Sequence, residues 1–241
     1  MIVLNYHELV RASPPNAWCL THGTFDAHLA LYRDKLVSPQ TFLENCDHPK
    51  AGRSGSVLLT FDDGFLSDYT HVYARYATTG AIPGFMSFIP VDFIGSPGRM
   101  TWEMIEEIGR SGVAIGSHGM AHADLTTVSD DELDRELTVS KSMLEDRLGR
   151  PVTLFAFPYG RFSRRVWDAA LKAGYTHLFT IQLGYHRGFE PFLYSRLCLT
   201  NNMDEGYMRQ HLRDPDGMRG PAWKISTRLG LYRQLMHLRY R

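Results

Sequence analysis

The chain has 241 residues, 44% of them hydrophobic and 12% aromatic, so it can bury an ordinary core and is not expected to be disordered. Lysine plus arginine and aspartate plus glutamate number 26 each, so no net charge points to nucleic acid as a partner. Three scattered cysteines (Cys19, Cys46 and Cys198), together with no transmembrane or secretory pattern, lead us to expect a reducing, cytoplasmic location.

Short apolar strands alternate with helical patterns along the first half of the chain. The opening stretch MIVLNYHEL is predicted to be a strand that ends at Tyr6-His7, and residues 11–30 to be irregular and polar. Ser38 is a good N-cap, and Pro39 fits the first helical position. The further elements predicted here are a helix at 38–46, a strand at 56–61, a helix at 67–79, a strand at 82–90 and a helix at 101–112.

The second half continues the alternation and suggests a closed architecture. Ser129 and Glu132 form a capping box for a long helix that stops before Gly149. The elements predicted here are a strand at 113–118, a helix at 129–149, a strand at 152–157, a helix at 163–173 and strands at 177–181 and 192–200. About seven strands separated by helices, within one domain's length, favour an α/β fold built as a distorted (β/α) barrel. We expect this single domain to span residues 1–220.

Reactive side chains in such folds sit where parallel strands end. The predicted strand ends carry adjacent carboxylates in TFDDG (60–64), two histidines in SHGMAH (117–122), the turn Pro158-Tyr159-Gly160, and Tyr6-His7. Any one of these alone is more typical of a turn or a chance pair. Together, two neutral imidazoles and one carboxylate can hold a divalent metal with open positions, while the other carboxylate is free to act as a base. That combination is typical of a hydrolase.

In this order, TFDDG, S-H-x-x-x-H and P-Y-G resemble the motifs of the polysaccharide deacetylases, the NodB-homology or carbohydrate esterase family 4 group. The similarity extends from about residue 56 to 182 and includes AGY at 173–175. It implies a distorted (β/α) barrel and metal-dependent removal of N-acetyl, sometimes O-acetyl or formyl, groups from sugars. By motif, the resemblance assigns these roles: metal ligands Asp63, His118 and His122, general base Asp62, and oxyanion donor the backbone N–H of Tyr159. The implied cofactor is a divalent metal, Zn²⁺ first, with Co²⁺ or Ni²⁺ as alternatives.

Two positions depart from the family pattern. Ala156 stands where an arginine usually orients the catalytic aspartate, and Gly119 stands where serine or threonine usually follows the first histidine. FAFPYG does resemble the variant of the biofilm poly-N-acetylglucosamine deacetylases, which also lack that arginine. Arg196, near the end of a late strand, is a candidate for orienting Asp62; the alternative is an exposed surface arginine. A catalytically impaired metal-binding or glycan-binding pseudoenzyme therefore stays open as an alternative.

The general acid of most family members is a histidine in a C-terminal Leu-x-x-His, for which this chain has no good match. After residue 190 it has only His211 and His237, and neither follows a convincing strand. The biofilm subgroup resembles a circular permutation in which an N-terminal Tyr-His replaces that motif. Because the first and last strands of a closed barrel are neighbours, one can take the place of the other. His7 is therefore the predicted general acid, with an ordinary strand-end histidine as the alternative.

The remaining features are given ordinary structural interpretations. His22, His28, His48, His71, His177 and His186 are expected on the surface or in loops, and Asp68 on a helix surface. Residues 221–241 form a basic tail, amphipathic if helical, which either packs on the surface or contacts a membrane surface or lipid-linked substrate. A two-histidine-one-carboxylate set also serves non-haem iron oxygenases, but those usually use antiparallel β scaffolds. The expected partner is an N-acetylated sugar or glycan.

Overall fold

The structure is a computed structural model that describes residues 1–47, 56–182 and 193–211. Its elements in chain order are β1 (Ile2–Tyr6), β2 (Leu9–Val10), β3 (Leu20–Thr21), α1 (His22–Tyr32), α2 (Pro39–Asp47), β4 (Val57–Asp62), α3 (Ala74–Thr79), β5 (Met86–Ile89), α4 (Trp102–Arg110), β6 (Ala114–Ser117), α5 (Asp130–Leu148), β7 (Leu154–Ala156), α6 (Arg164–Lys172), β8 (His177–Thr180), β9 (Leu193–Ser195), β10 (Leu197–Cys198) and α7 (Glu205–His211). A π-helix, Asp68–Tyr73, leads into α3, and Pro158–Gly160 forms a single 3₁₀ turn.

One parallel sheet closes on itself to form the predicted barrel. Its strand order is β10-β1-β4-β5-β6-β7-β8-β9. β9 pairs with β8 and β10 pairs with β1, while Arg196 is the one residue that separates β9 from β10. The stretch 193–198 therefore joins both edges of the sheet, and counting it as one strand gives seven. The predicted (β/α) barrel is confirmed.

The inner face of the barrel changes from apolar to polar toward the carboxyl ends of the strands. Alternate side chains of a strand point to the same face. On β4 that face carries Leu58, then Thr60, then Asp62, all of them buried. At the amino ends of the strands, Phe42 of α2 packs against Phe179, with 6.0 Å between the ring centroids. The apolar end of the barrel is therefore filled by side chains, and the polar residues lie at the opposite end.

Helices α4, α5 and α6 lie within the ranges predicted for them, 101–112, 129–149 and 163–173. The side chain of Ser129 accepts the N–H of Glu132 at the start of α5, and the helix ends at Gly149. Thr101 and Ser163 cap α4 and α6 in the same way. These helices bury one face each against the outside of the barrel, where the larger apolar cluster lies. None of the helices in the described ranges is long and apolar enough to cross a membrane.

Three expectations for the N-terminal region are wrong. The segment predicted to be irregular contains β3 and α1, because Thr21 caps the helix and its buried face includes a histidine that weakens the apolar pattern. That residue, His28, is buried: its Nδ1 lies 3.2 Å from the hydroxyl of Tyr6, and its Nε2 lies 2.8 Å from the carbonyl of Met203. Asp68 is buried as well, next to Ser87, rather than on a helix surface.

The predicted tail, 221–241, lies outside the described residues.

Candidate active site

The strand ends singled out by the sequence meet at one cleft of about 230 Å³. The predicted site residues that line it are His7, Asp62, Asp63, His118, His122 and Tyr159. They come from the ends of β1, β4 and β6 and from the turn after β7, which are neighbours in the barrel or one strand apart. The seventh predicted residue, Arg196, is fully buried against Asp62. Residues that are distant in sequence, such as His7 and Tyr159, thus reach one place because parallel strands end on the same rim.

Asp63, His118 and His122 bring three lone-pair atoms together. Asp63 Oδ1 lies 3.4 Å from His122 Nε2 and 3.8 Å from His118 Nε2, and one ligand atom from each residue lies within 4.8 Å of the others. Asp63 Oδ1 is buried and has no hydrogen-bond donor in the described part of the chain. A buried carboxylate oxygen without a donor is costly unless a cation occupies the space beside it. The donor set therefore fits a divalent metal.

Both histidines are held in the neutral form. His118 Nδ1 lies 2.6 Å from the carbonyl oxygen of Ala156, which can only accept, so Nδ1–H donates and the lone pair of Nε2 faces the space beside Asp63 Oδ1. Burial lowers the pKa of His118 to about 4, and it lowers the pKa of His122 to about 4 as well. An imidazole must be unprotonated to bind a metal. At neutral pH neither ring carries the proton that would prevent binding.

The backbone of the site is strained at three residues. Among the described residues, four that are not glycine have positive φ, and three of them are Asp63 (73°), His122 (56°) and Tyr159 (57°). A side chain in this region costs on the order of 1–2 kcal/mol per residue and persists only where the surroundings impose it. These three strained residues cluster at the carboxyl ends of the strands, and such clustering is typical of functional sites.

Asp62 is paired with Arg196 inside the barrel. Arg196 Nη1 lies 2.6 Å from Asp62 Oδ1, and Nη2 lies 2.8 Å from Oδ2, while both residues are at most 3% exposed. Burial alone would raise the pKa of Asp62, but the Arg196 guanidinium outweighs it and holds that pKa well below its usual range. The interpretation of Arg196 as an exposed surface residue is wrong, and a guanidinium contacts Asp62 although Ala156 cannot supply one.

Asn5 is a member of this cluster that sequence reasoning missed. Its Nδ2 donates to Asp62 Oδ2 at 3.1 Å, and its Oδ1 accepts from Arg196 Nη1 at 3.1 Å and from Thr60 Oγ1 at 3.2 Å. Asn5 is fully buried. It stands two residues before His7, so strand alternation puts both on the same face. A polar residue on an otherwise apolar strand, in phase with His7, is the signal that could have identified it.

His7 follows β1 and faces the same cleft. Its ring lies 5.7 Å from the ring of Trp18, and its Nδ1 is buried without a hydrogen-bond partner among the residues described. Burial lowers the pKa of His7, but Cys198 and the carboxylates of Asp63 and Asp62 more than offset this and raise it to about 9. His7 is therefore protonated at neutral pH, unlike His118 and His122.

Tyr159 is fixed by the turn that contains it. The carbonyl of Gly160 accepts a hydrogen bond from Thr180 Oγ1 at 2.7 Å. Gly160 has φ of 63°, and a Cβ built on it would lie 2.6 Å from the backbone nitrogen of Ile181, so only glycine fits. The Tyr159 ring packs edge-on against His122, with 4.5 Å between centroids. The turn thereby places Tyr159 in the lining of the cleft that contains the three lone-pair atoms.

Comparison with known proteins agrees with the resemblance that the sequence motifs show. A family model described as polysaccharide deacetylase matches residues 50–178. The protein YxkH of Bacillus subtilis (strain 168), whose name places it with the polysaccharide deacetylases, is 26% identical over 228 residues, which cover 92% of this chain and 74% of YxkH. The peptidoglycan-N-acetylmuramic acid deacetylase PdaA of the same strain is 28% identical over 129 residues, 52% of this chain and 46% of PdaA.

Two solved structures share the fold. The deacetylase PplD of Streptococcus pyogenes, in complex with acetate, superposes with a TM-score of 0.77 at 22% identity and covers 87% of this chain and 96% of its own. IcaB of Ammonifex degensii superposes with a TM-score of 0.69 at 22% identity, with coverage of 87% and 95%. Both superpositions extend over nearly the whole barrel and support its closed topology.

Proposed function

Since the chain belongs to the polysaccharide deacetylase family, we propose that it is a metal-dependent hydrolase that removes the N-acetyl group from an amino-sugar glycan or glycan precursor. The observation that carries this proposal is the pairing of two units in one cleft. One unit is the set of three converging lone-pair atoms, and the other is a buried, anionic Asp62 whose Oδ2 lies 3.8 Å from His118 Nε2. A base next to a cation site is what amide hydrolysis by an activated water requires.

Asp63, His118 and His122 would hold the cation. Two imidazoles and one carboxylate suit Zn²⁺, with Co²⁺ and Ni²⁺ as alternatives, and leave coordination positions open. A divalent cation held there supplies Lewis acidity toward the attacking water and the acyl oxygen. The protein's own part is to keep the two rings unprotonated and to fix their orientation, which the Ala156 carbonyl does for His118.

Asp62 is the proposed general base. Its low pKa keeps the carboxylate anionic at neutral pH, so it can accept a proton from the attacking water. Arg196 and Asn5 take up three of its acceptor positions with hydrogen bonds. Of the roughly four acceptor positions of a carboxylate, the one left on Oδ1 is then free for the water, and the carboxylate is held against rotation.

His7 is proposed to act on the nitrogen of the amide that is cleaved, and Tyr159 on its acyl oxygen. An amide nitrogen leaves only if it is protonated, and the raised pKa of His7 keeps a proton available for it. The backbone N–H of Tyr159 would donate to the acyl oxygen as negative charge develops there, an interaction typically worth about 3–4 kcal/mol. Asp62 and His7 thus have separate roles because their surroundings move their pKa values in opposite directions.

The pseudoenzyme alternative is favoured by one observation, the replacement of the usual arginine by Ala156. Arg196 reaches Asp62 from the strand that closes the barrel, which weakens that alternative. Acetate release from N-acetylhexosamine compounds, from monosaccharides to lipid-linked forms, would separate the two when Zn²⁺, Co²⁺ and Ni²⁺ are added in turn. Parallel assays of O-acetyl and N-formyl sugars would identify the acyl group. Glycan binding without release of any acid would support the pseudoenzyme.

A further inference from the structure

The loop that carries two of the proposed ligands, residues 118–122, is supported by α5. Glu136 of that helix is 1% exposed and points its carboxylate at the loop backbone. Its Oε2 accepts the N–H of Met120 at 2.7 Å, and the N–H of Ala121 lies 3.2 Å from Oε1 and 3.3 Å from Oε2. His122 follows immediately. A buried carboxylate that accepts backbone N–H groups makes strong, charge-assisted hydrogen bonds.

Gly119 and Glu136 fit each other sterically. Gly119 has φ of 82°, and a Cβ built on it would lie 2.6 Å from Glu136 Oε2. Any larger residue would therefore displace the carboxylate from the loop. A glycine at this motif position, where serine or threonine is usual, therefore leaves room for the carboxylate of Glu136.

His122 needs such support because its own backbone is strained. Its φ of 56° is left-handed, which a residue with a side chain adopts only when its neighbours enforce it. The two preceding amides are held by Glu136, and the Gly119 carbonyl accepts the N–H of Val91 at 3.1 Å. The loop is therefore fixed from the helix on one side and from the residues after β5 on the other.

We propose that Glu136 is a positioning residue of the metal site: it pre-organises the loop 118–122 so that His122 Nε2 faces Asp63 before a cation binds. This inference rests on the proposed function, since it concerns the same three ligands. Groups that orient metal ligands typically contribute 10–100-fold to metal affinity. We expect Glu136→Ala to weaken Zn²⁺ binding by roughly that factor, and Glu136→Gln to show a smaller loss because one acceptor oxygen remains.

The test uses the full chain and compares Zn²⁺ dissociation constants, by competition with a chromogenic chelator, for the wild type and four variants. These are Glu136→Ala, Glu136→Gln, Glu145→Ala and His122→Ala. Glu145 is the matched control, because it lies on the same helix and accepts the backbone N–H of Val152 at 2.8 Å, outside the loop. The absorption spectrum of the Co²⁺ form reports the ligand geometry. Hydrogen exchange at the Met120 and Ala121 amides of the metal-free protein reports whether the loop is already fixed.

The expected pattern is weaker Zn²⁺ binding, an altered Co²⁺ spectrum and faster exchange of both amides in Glu136→Ala, partial recovery in Glu136→Gln, and wild-type values in Glu145→Ala. Zn²⁺ affinity within twofold of wild type in both Glu136 variants would overturn the inference. If Glu136→Ala does not fold, Glu136→Gln decides by the same criterion. If the proposed function itself were incorrect, the result would be different: the wild type would bind Zn²⁺ no more tightly than His122→Ala does.

Discussion

His7 is the residue whose proposed role depends most on its surroundings. Its pKa is raised from the ordinary 6.5 to about 9, so the protonated ring that can donate to a leaving nitrogen persists through neutral pH. We therefore expect kcat for acetate release to fall at alkaline pH, since deprotonation of His7 removes the acid. A pH–rate profile of the metal-saturated protein measures this.

The matched variant for that profile is His7→Ala. It should bind metal as the wild type does, lose roughly 10²–10⁴-fold in kcat and show no alkaline fall. Near-full activity in His7→Ala would mean that the proton comes from another group. In that case the placement of the N-terminal strand in the barrel would have no role in proton transfer.

Arg196 and Asp62 form a buried ion pair, and removing one partner should be worse than removing both. Arg196→Met should destabilise the protein by about 3–5 kcal/mol, because it leaves the Asp62 carboxylate buried without a counterion. The double variant Arg196→Met/Asp62→Asn leaves no uncompensated charge and should recover part of that loss. Urea unfolding of the three proteins gives the comparison, and an equal or larger loss in the double variant would contradict it.

Each of the strands β1 and β4 places its polar site residues at alternate positions, so that they lie on the same face of the sheet. β1 carries Asn5 beneath the cleft and presents His7 at the rim, and β4 places Thr60 and Asp62 in the same alternation. The register Asn5↔Thr60 puts the two polar side chains side by side across the strands. A shift of one residue would move all of them to the other face. The positions of Asp62, the proposed base, and of its hydrogen-bond partners are therefore set by strand register.

The turn Pro158–Gly160 allows a controlled test of backbone geometry. Gly160 and Gly149 have nearly the same φ, 63° and 64°, but a Cβ at Gly149 meets nothing within 4 Å, whereas one at Gly160 overlaps Ile181. Both glycine-to-alanine variants should lower the free energy of unfolding by about 1–2 kcal/mol, because alanine disfavours the left-handed conformation. Only Gly160→Ala should lose more stability than this and also lower kcat, because the Tyr159 backbone must move. Thermal unfolding and acetate release measure both, and equal effects of the two variants would contradict the prediction.

Much of the site could be predicted from sequence because its motifs mark strand ends. TFDDG, SHGMAH and FPYG each follow a buried strand, and the structure brings their side chains together in one cleft. Asn5 gave only one signal, a polar residue in phase with His7, and Glu136 gave none, because their partners, Asp62 and the loop amides, are distant in sequence and become neighbours only through packing. The same reason accounts for His28, which is buried through partners on β1 and near α7.

At the scale of the whole molecule, barrel closure connects the two ends of the described chain. The stretch 193–198 pairs with β8 on one side and with β1 on the other, so Arg196 from the last strand and Asn5 from the first meet at Asp62. The alternation of strands and helices predicted a barrel. Closure implied that the first and last strands are neighbours, but it did not predict the register between them, which depends on twist rather than on local pattern.

We propose that the cleft formed by this closure hydrolyses N-acetyl groups with a bound metal. The most direct measurement is acetate release from an N-acetylated amino-sugar oligosaccharide by the chelator-treated chain, before and after Zn²⁺ is returned. We expect no release after chelation, recovery with Zn²⁺, and no recovery in His122→Ala, which should lose the cation. Acetate release that persists in the chelated protein, or that Zn²⁺ restores equally in His122→Ala, would contradict the claim.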